Sequence, residues 1–260
     1  MLGVGKPELN ICINTLSFSQ LKSKEAAGFE QAVMKCVEMG IKNIELNETD
    51  AKNKEHVLQL FNDVKNYGGR IVALTLGLNL LGGDVRSDEK YFNKVKNWIK
   101  VCSENECRVL RLKATPENSE AYSDKDFKLL YRNLLNILSS VEKNNVKVSI
   151  DTGETAYSNM NRLIEMIEDI GSEMIGMTLD TRIVNRLEDH KMLERVAPLV
   201  NHVTVKEDIL KNPGRNILEK TLKALKTTAY TGYFSLEVSG ARSIDDVSNY
   251  VNKLREILSL

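Results

Sequence analysis

The stretch HVTVKED, residues 202–208, splits by alternation. Val203 and Val205 fall on one face of an extended chain, and His202, Thr204 and Lys206 fall on the other. A side-chain period of two makes this split unavoidable in a strand. One face suits a hydrophobic core, while the other carries groups that hydrogen-bond and titrate.

Seven further segments have this character: NICINTL (10–16), IKNIELN (41–47), RIVALTLG (70–77), CRVLRLK (107–113), VKVSID (146–151), IGMTLD (175–180) and YFSLEV (233–238). Amphipathic stretches lie between them. In residues 127–144, Leu130, Leu134, Ile137, Leu138 and Val141 recur at three and four, which predicts one apolar helix face. Ser123 with Asp126 three residues on predicts an N-cap close to a capping box, and Gly40, Gly68, Gly69 and Gly171 mark helix stops.

Spacing carries the fold. The polar residues near the strand ends are Asn14, Glu45, Thr75, Lys113, Asp151, Asp180, Lys206 and Glu237, with successive gaps between 26 and 38 residues. Eight strand–helix units of that length predict an α/β fold, a closed (β/α)8 TIM barrel. An open doubly wound sheet is the alternative, since it also alternates strands with helices. No Pro/Ser-rich or low-complexity linker divides residues 1–260, so one domain is expected.

Bulk composition narrows the function. Thirty-six basic and 36 acidic residues leave a formal net charge of zero, which argues against a dedicated nucleic-acid binder. The N-terminal MLGVGKPELN has no apolar h-region, and no apolar run approaches the ~18 residues of a membrane span. A cytoplasmic protein without membrane partners is expected. Cys102 and Cys107 have a poor zinc spacing, so Cys12, Cys36, Cys102 and Cys107 read as free thiols in a reducing compartment. Only His56, His190 and His202 are available for imidazole chemistry.

In a barrel the apolar strand faces pack on the helices. The other faces then turn Asn14, Glu45, Thr75, Arg111, Lys113, Asp151, Asp180, Thr204, Lys206 and Glu237 inward, toward the C-terminal strand ends where barrel enzymes place their active sites. Such charges must be paired, hydrated or bound to a ligand. Either they form a self-satisfied ion-pair network, or they line a pocket for a small polar molecule.

Several segments resemble the xylose isomerase-like TIM barrels, a superfamily of sugar isomerases and epimerases, inosose dehydratases and endonuclease IV. GIKNIEL (40–46) is similar to its second strand, IGMTLDT (175–181) to its sixth, HVTVKED to its seventh and GYFSLEVSG (232–240) to its eighth. The order and spacing of these motifs are more specific for fold than for function. In metal-dependent members a Glu, an Asp, a His and a Glu at the ends of strands 5 to 8 bind a divalent ion. The resemblance places Asp151, Asp180 and Glu237 on three of these positions and Thr204 where the histidine is expected. His202 matches a second histidine of that strand, one layer deeper. Ile183 stands where the sixth motif ends in His, and Glu154 follows the fifth strand without the usual Glu-Asn-His run. Three histidines in all are too few for the three-zinc site of endonuclease IV.

The resemblance implies a sugar or sugar-phosphate isomerase or epimerase. Asp151 and Glu237 would be its acid–base pair, and Glu45, Arg111, Lys113, Arg182, Lys206 and Arg242 its substrate-binding groups. The cofactor would be Mg2+ or Mn2+ held by Asp151, Asp180 and Glu237, or none, with positive charge from Arg111, Lys113 and Lys206 instead. A related dehydratase or lyase is one alternative. A non-catalytic or decayed member that binds a small polar ligand is another. A homo-oligomer is left open. The SGARS segment (239–243) reads either as a phosphate seat at a helix start or as a capped turn, and Gly82 and Gly83 as a lid hinge or a turn.

Overall fold

The computed structural model describes residues 10–18, 28–81, 89–116, 121–153, 158–184, 190–211 and 216–259. Gly82, Gly83 and Glu154 lie outside these. Eight strands form a closed, all-parallel barrel in sequence order: β1 (Asn10–Asn14), β2 (Asn43–Asn47), β3 (Arg70–Asn79), β4 (Val109–Lys113), β5 (Lys147–Asp151), β6 (Ile175–Asp180), β7 (Val200–Lys206) and β8 (Tyr233–Glu237). β8 pairs with β1, so the sheet has no edge. The spacing of the sequence is thus resolved in favour of the barrel over the open sheet. β7 begins two residues before the expected segment, and β3 runs two residues beyond its own.

Helices return the chain between strands. The main ones are α1 (Gly28–Glu38), α2 (Lys54–Asn66), α3 (Glu89–Glu104), α4 (Asp124–Asn144) and α5 (Met160–Ile170). They are followed by the short α6 (Thr181–Val184), α7 (His190–Val196) and α8 (Glu207–Lys211), then by α9 (Ile217–Lys226) and α10 (Ile244–Leu258). α4 starts as the sequence predicts: the Ser123 side chain accepts from the Asp126 N–H, and the Asp126 side chain accepts from the Ser123 N–H. Such a cap stabilises a helix by about 1 kcal/mol. The helix ends on Asn145 in the left-handed conformation, φ 52°, and Gly171 closes α5 in the same way at φ 67°.

The core lies between barrel and helices. Ile13, Ile44, Leu46, Leu74, Leu110, Leu112, Val148, Val203, Val205, Phe234 and Leu236 are all buried on that side. The register then fixes which polar residues share a level inside the barrel. Arg111 lies opposite Thr75 and Ser149, Lys113 opposite Asp151, Asp180 opposite Thr204, and Lys206 opposite Glu237.

Gly176 in β6 serves this closure. A Cβ there would come 2.4 Å from the Leu199 carbonyl oxygen and 2.6 Å from the Asn201 side-chain nitrogen. That nitrogen passes β6 to donate to the Val148 carbonyl of β5 at 3.2 Å. Gly176→Ala must therefore push β7 away from β6. It is expected to destabilise the fold by about 1–3 kcal/mol. Urea denaturation of the variant beside the wild type measures the difference.

Candidate functional site

The barrel interior has a charged floor and a charged mouth. The floor centres on Glu45, which is 0% exposed. Its Oε1 accepts from Thr75 Oγ1 at 2.6 Å and from Arg111 Nη1 at 2.5 Å. Its Oε2 accepts from the Ser235 hydroxyl and from His202 Nε2 at 2.9 Å. An ionised carboxylate has no proton to give, so Nε2 carries the hydrogen of that contact. One carboxylate on β2 thereby joins side chains of β3, β4, β7 and β8. Burial by itself would raise the Glu45 carboxyl, but Arg111 and His202 outweigh it and hold the group well below the usual carboxylate range. Opposite charges likewise outweigh desolvation at Arg111 and raise its pKa.

Arg111 links floor to mouth, because its Nη2 donates to Asp151 Oδ2 at 2.7 Å. At Asp151, too, burial would raise the carboxyl, and Arg111 with the Gly153 N–H brings it below its ordinary value. At the mouth, Arg182 holds Asp180 twice, Nη2 to Oδ2 at 2.9 Å and Nε to Oδ1 at 3.3 Å, and its backbone N–H reaches Oδ1 at 2.9 Å. Lys206 pairs with Glu237 across the β7–β8 register. Arg111, Lys113, Asp151, Asp180, Arg182, Thr204, Lys206 and Glu237 all line one cavity of about 340 Å3. Thr204 lines it too, on a residue 1% exposed, and its hydroxyl is buried with no hydrogen-bond partner among the described residues.

The structure therefore brings together most of the groups that the sequence singles out. Two stand apart. Glu45, expected among the substrate-binding groups, lies beneath the cavity with both oxygens engaged. Arg242 is exposed and is not among the residues lining the cavity. Nor is the helix start beside it an open phosphate seat. The Gly240 N–H donates to Glu207 Oε2 at 2.9 Å, and the N–H groups of Arg242 and Ser243 donate to Asp246 Oδ2 at 2.9 and 3.2 Å. Ser243 and Asp246 form a complete capping box, so the capped turn is what is built. Burial opposes charge on Glu207, but Lys211 and Gly240 outweigh it and lower its pKa. Sequence reasoning passed over Glu207, because its contact with Gly240 joins residues 33 apart.

A divalent ion fits this donor set poorly. Each mouth carboxylate is already matched to a cation, and Thr204, opposite Asp180 in the register, offers a neutral hydroxyl rather than imidazole or carboxylate. Among the described residues, the group of three potential ligands that converges within 4.8 Å is Cys12, Glu45 and His202, on the floor. Burial raises the Cys12 thiol well above its usual pKa, and Arg111 already neutralises Glu45.

A closed (β/α)8 barrel with titratable groups at its C-terminal mouth is the architecture of a large class of barrel enzymes. The family model of the xylose isomerase-like TIM barrel matches residues 25–258, and this chain belongs to that family. No curated protein matches it in sequence. Solved structures share the fold at low identity. A D-psicose 3-epimerase determined in the presence of D-fructose superposes with TM-score 0.70 at 15% identity, over 96% of this chain and 97% of that one. The IOLI protein with a bound zinc atom gives 0.70 at 13% identity, over 96% and 98%. A xylose isomerase-like TIM barrel protein from Mycobacterium smegmatis in complex with magnesium gives 0.69 at 15% identity, over 96% and 98%.

The buried network has a measurable consequence. Removing one member of a buried ion pair costs about 3–5 kcal/mol, so Glu45→Gln is expected to lower stability by that order. The Glu45 carboxyl is depressed in the folded state. Its contribution is therefore present above the unfolded carboxyl value of about 4.3 and is lost as pH falls through the lower folded value. Urea stability measured from pH 7 down to pH 3 should fall more steeply for wild type than for Glu45→Gln.

Proposed function

We propose that the mouth binds a small unphosphorylated sugar, or a related polyhydroxy carbonyl compound, and moves a proton on the carbon next to its carbonyl. One observation carries this reading. Two carboxylates from different strands, Asp151 and Glu237, line the same cavity as Arg111, Lys113 and Lys206. Proton abstraction beside a carbonyl needs a base on one side of the carbon and positive charge near the oxygen that gains electron density. One carboxylate takes the proton, and the C–H electron pair moves into the enediolate. The cations stabilise that oxygen. The second carboxyl, arriving protonated, returns a proton to the carbon. Delivery to the opposite face of the same carbon inverts it, which is epimerisation. Membership of the family and the fold shared with a sugar epimerase support this direction. The Gly240–Glu207 contact and the capped start of α10 support an unphosphorylated ligand, because the N–H donors that could take a phosphate already serve carboxylates.

Binding without turnover is a second reading, favoured by the Asp151–Arg111 pair. A carboxylate stabilised as its anion is a weaker base. Deuterium exchange separates the two without knowledge of the product. The protein is incubated in D2O with a panel of ketoses and their phosphates, and label at the carbon beside the carbonyl is followed by NMR. Exchange into an unphosphorylated ketose is expected, reduced about 10²–10⁴-fold by Asp151→Asn or Glu237→Gln. Saturable sugar binding with no exchange would select the binding reading. Preference for the phosphorylated partners would overturn the assignment of substrate class.

A further inference from the structure

We infer that this chain keeps no resident divalent ion at its barrel mouth, and that Arg111, Arg182 and Lys206 supply the positive charge that metal-bound relatives draw from an ion. The inference rests on reading the mouth as the functional site. It does not depend on which reaction, if any, takes place there.

Backbone register makes the three ion pairs a built feature. Lys206 and Glu237 are directly opposed in the β7–β8 pairing, so the barrel itself delivers the ammonium to the carboxylate. Arg182 lies two residues beyond Asp180, at the start of α6, where its main-chain N–H and its guanidinium reach the same carboxylate. Arg111 is held from below by Glu45, which leaves its second nitrogen aimed at Asp151. An incoming ion would have to displace all three cations from their partners, and it would do so beside a fourth. Lys113, opposite Asp151 in the β4–β5 register, lines the same cavity and has no ion-pair partner among the described residues.

The donors point the same way. Asp151, Asp180 and Glu237 do not converge as a group within 4.8 Å, whereas Cys12, Glu45 and His202 on the floor do. The fourth position holds a buried hydroxyl, Thr204 Oγ1, which has no hydrogen-bond partner among the described residues. Neutral hydroxyls are poor substitutes for imidazole or carboxylate toward zinc, manganese or magnesium. The Lys113 ammonium, with no counter-ion among the described residues, is instead well matched to the oxygens of a polyhydroxy ligand. The cavity is therefore complete as a binding site for an oxygen-rich molecule once the ion is left out.

The test is metal content and thermal shift. Full-length protein, freed of any tag and purified without chelator, is analysed by inductively coupled plasma mass spectrometry. It is then melted against Mn2+, Mg2+ and Zn2+ at constant ionic strength. A ligand that binds the folded state alone must raise the melting temperature by mass action. The expected result is far less than one ion per chain, with no saturable rise. A saturable rise that survives both Asp180→Asn and Glu237→Gln also supports the inference, since that ion binds away from the mouth. Near-stoichiometric metal, or a saturable rise, that either substitution abolishes would overturn it. None of these readouts needs turnover. Failure of the deuterium-exchange assay therefore leaves this inference standing, and bound metal at the mouth would overturn it even if exchange were observed.

Discussion

A fully buried carboxylate is the constraint around which the barrel interior is arranged. Glu45 is removed from water entirely, and the idealised cost of burying such an ion is of order 20 kcal/mol before relaxation. That cost is tolerable only because both oxygens are fully used. Arg111 supplies the opposite charge, while Thr75, Ser235 and His202 supply the remaining donors. These partners come from four strands, so the network can form only when the barrel is closed in the correct register. A one-residue slip of any of these strands would turn its polar group out toward the helices.

The same network positions the mouth. A lone arginine in a cavity samples many rotamers, but one whose first nitrogen is fixed by a buried carboxylate has little freedom left for its second. Arg111 thus transmits the rigidity of the floor to Asp151, on a strand that Glu45 itself does not touch. The Lys206–Glu237 pair draws its order from strand register and the Arg182–Asp180 pair from the turn into α6. Three carboxylates are ordered by three different means, each set by a local feature of the chain.

These origins explain how much could be read from sequence. Alternation in HVTVKED and its seven counterparts gives the face of each strand, and the spacing gives the number of strands. The inward set follows directly. Alternation says nothing about height along the barrel axis, which depends on pairing register and on irregularities such as the shift between Ile44 and Glu45 in β2 against β3. Glu45 and Glu237 therefore look equivalent in sequence, yet one lies sealed in the floor and the other lines the cavity. The start of α4 was fully legible because a capping box is a local signal. The Glu207–Gly240 contact was not, because only the fold brings β7 and β8 loops together.

If the mouth is metal-free, as inferred above, Thr204 and Arg182 belong to one arrangement of charge. Three carboxylates around one small cavity repel one another, and without positive charge some would take up protons at neutral pH. A bound divalent ion could meet that need where strong ligands such as imidazole complete its shell. Thr204 offers an ion only a neutral hydroxyl, but the carboxylates still require cations. Arg182 meets the requirement for Asp180 from two residues away, and Lys206 meets it for Glu237 from the adjoining strand. Exchanging a mobile ion for fixed side chains also changes what the site can select. An ion accepts oxygens from many directions, whereas a guanidinium and an ammonium held by strand register accept them from few. A mouth of this kind gains directionality toward its ligand and gives up the Lewis acidity that an ion would have supplied.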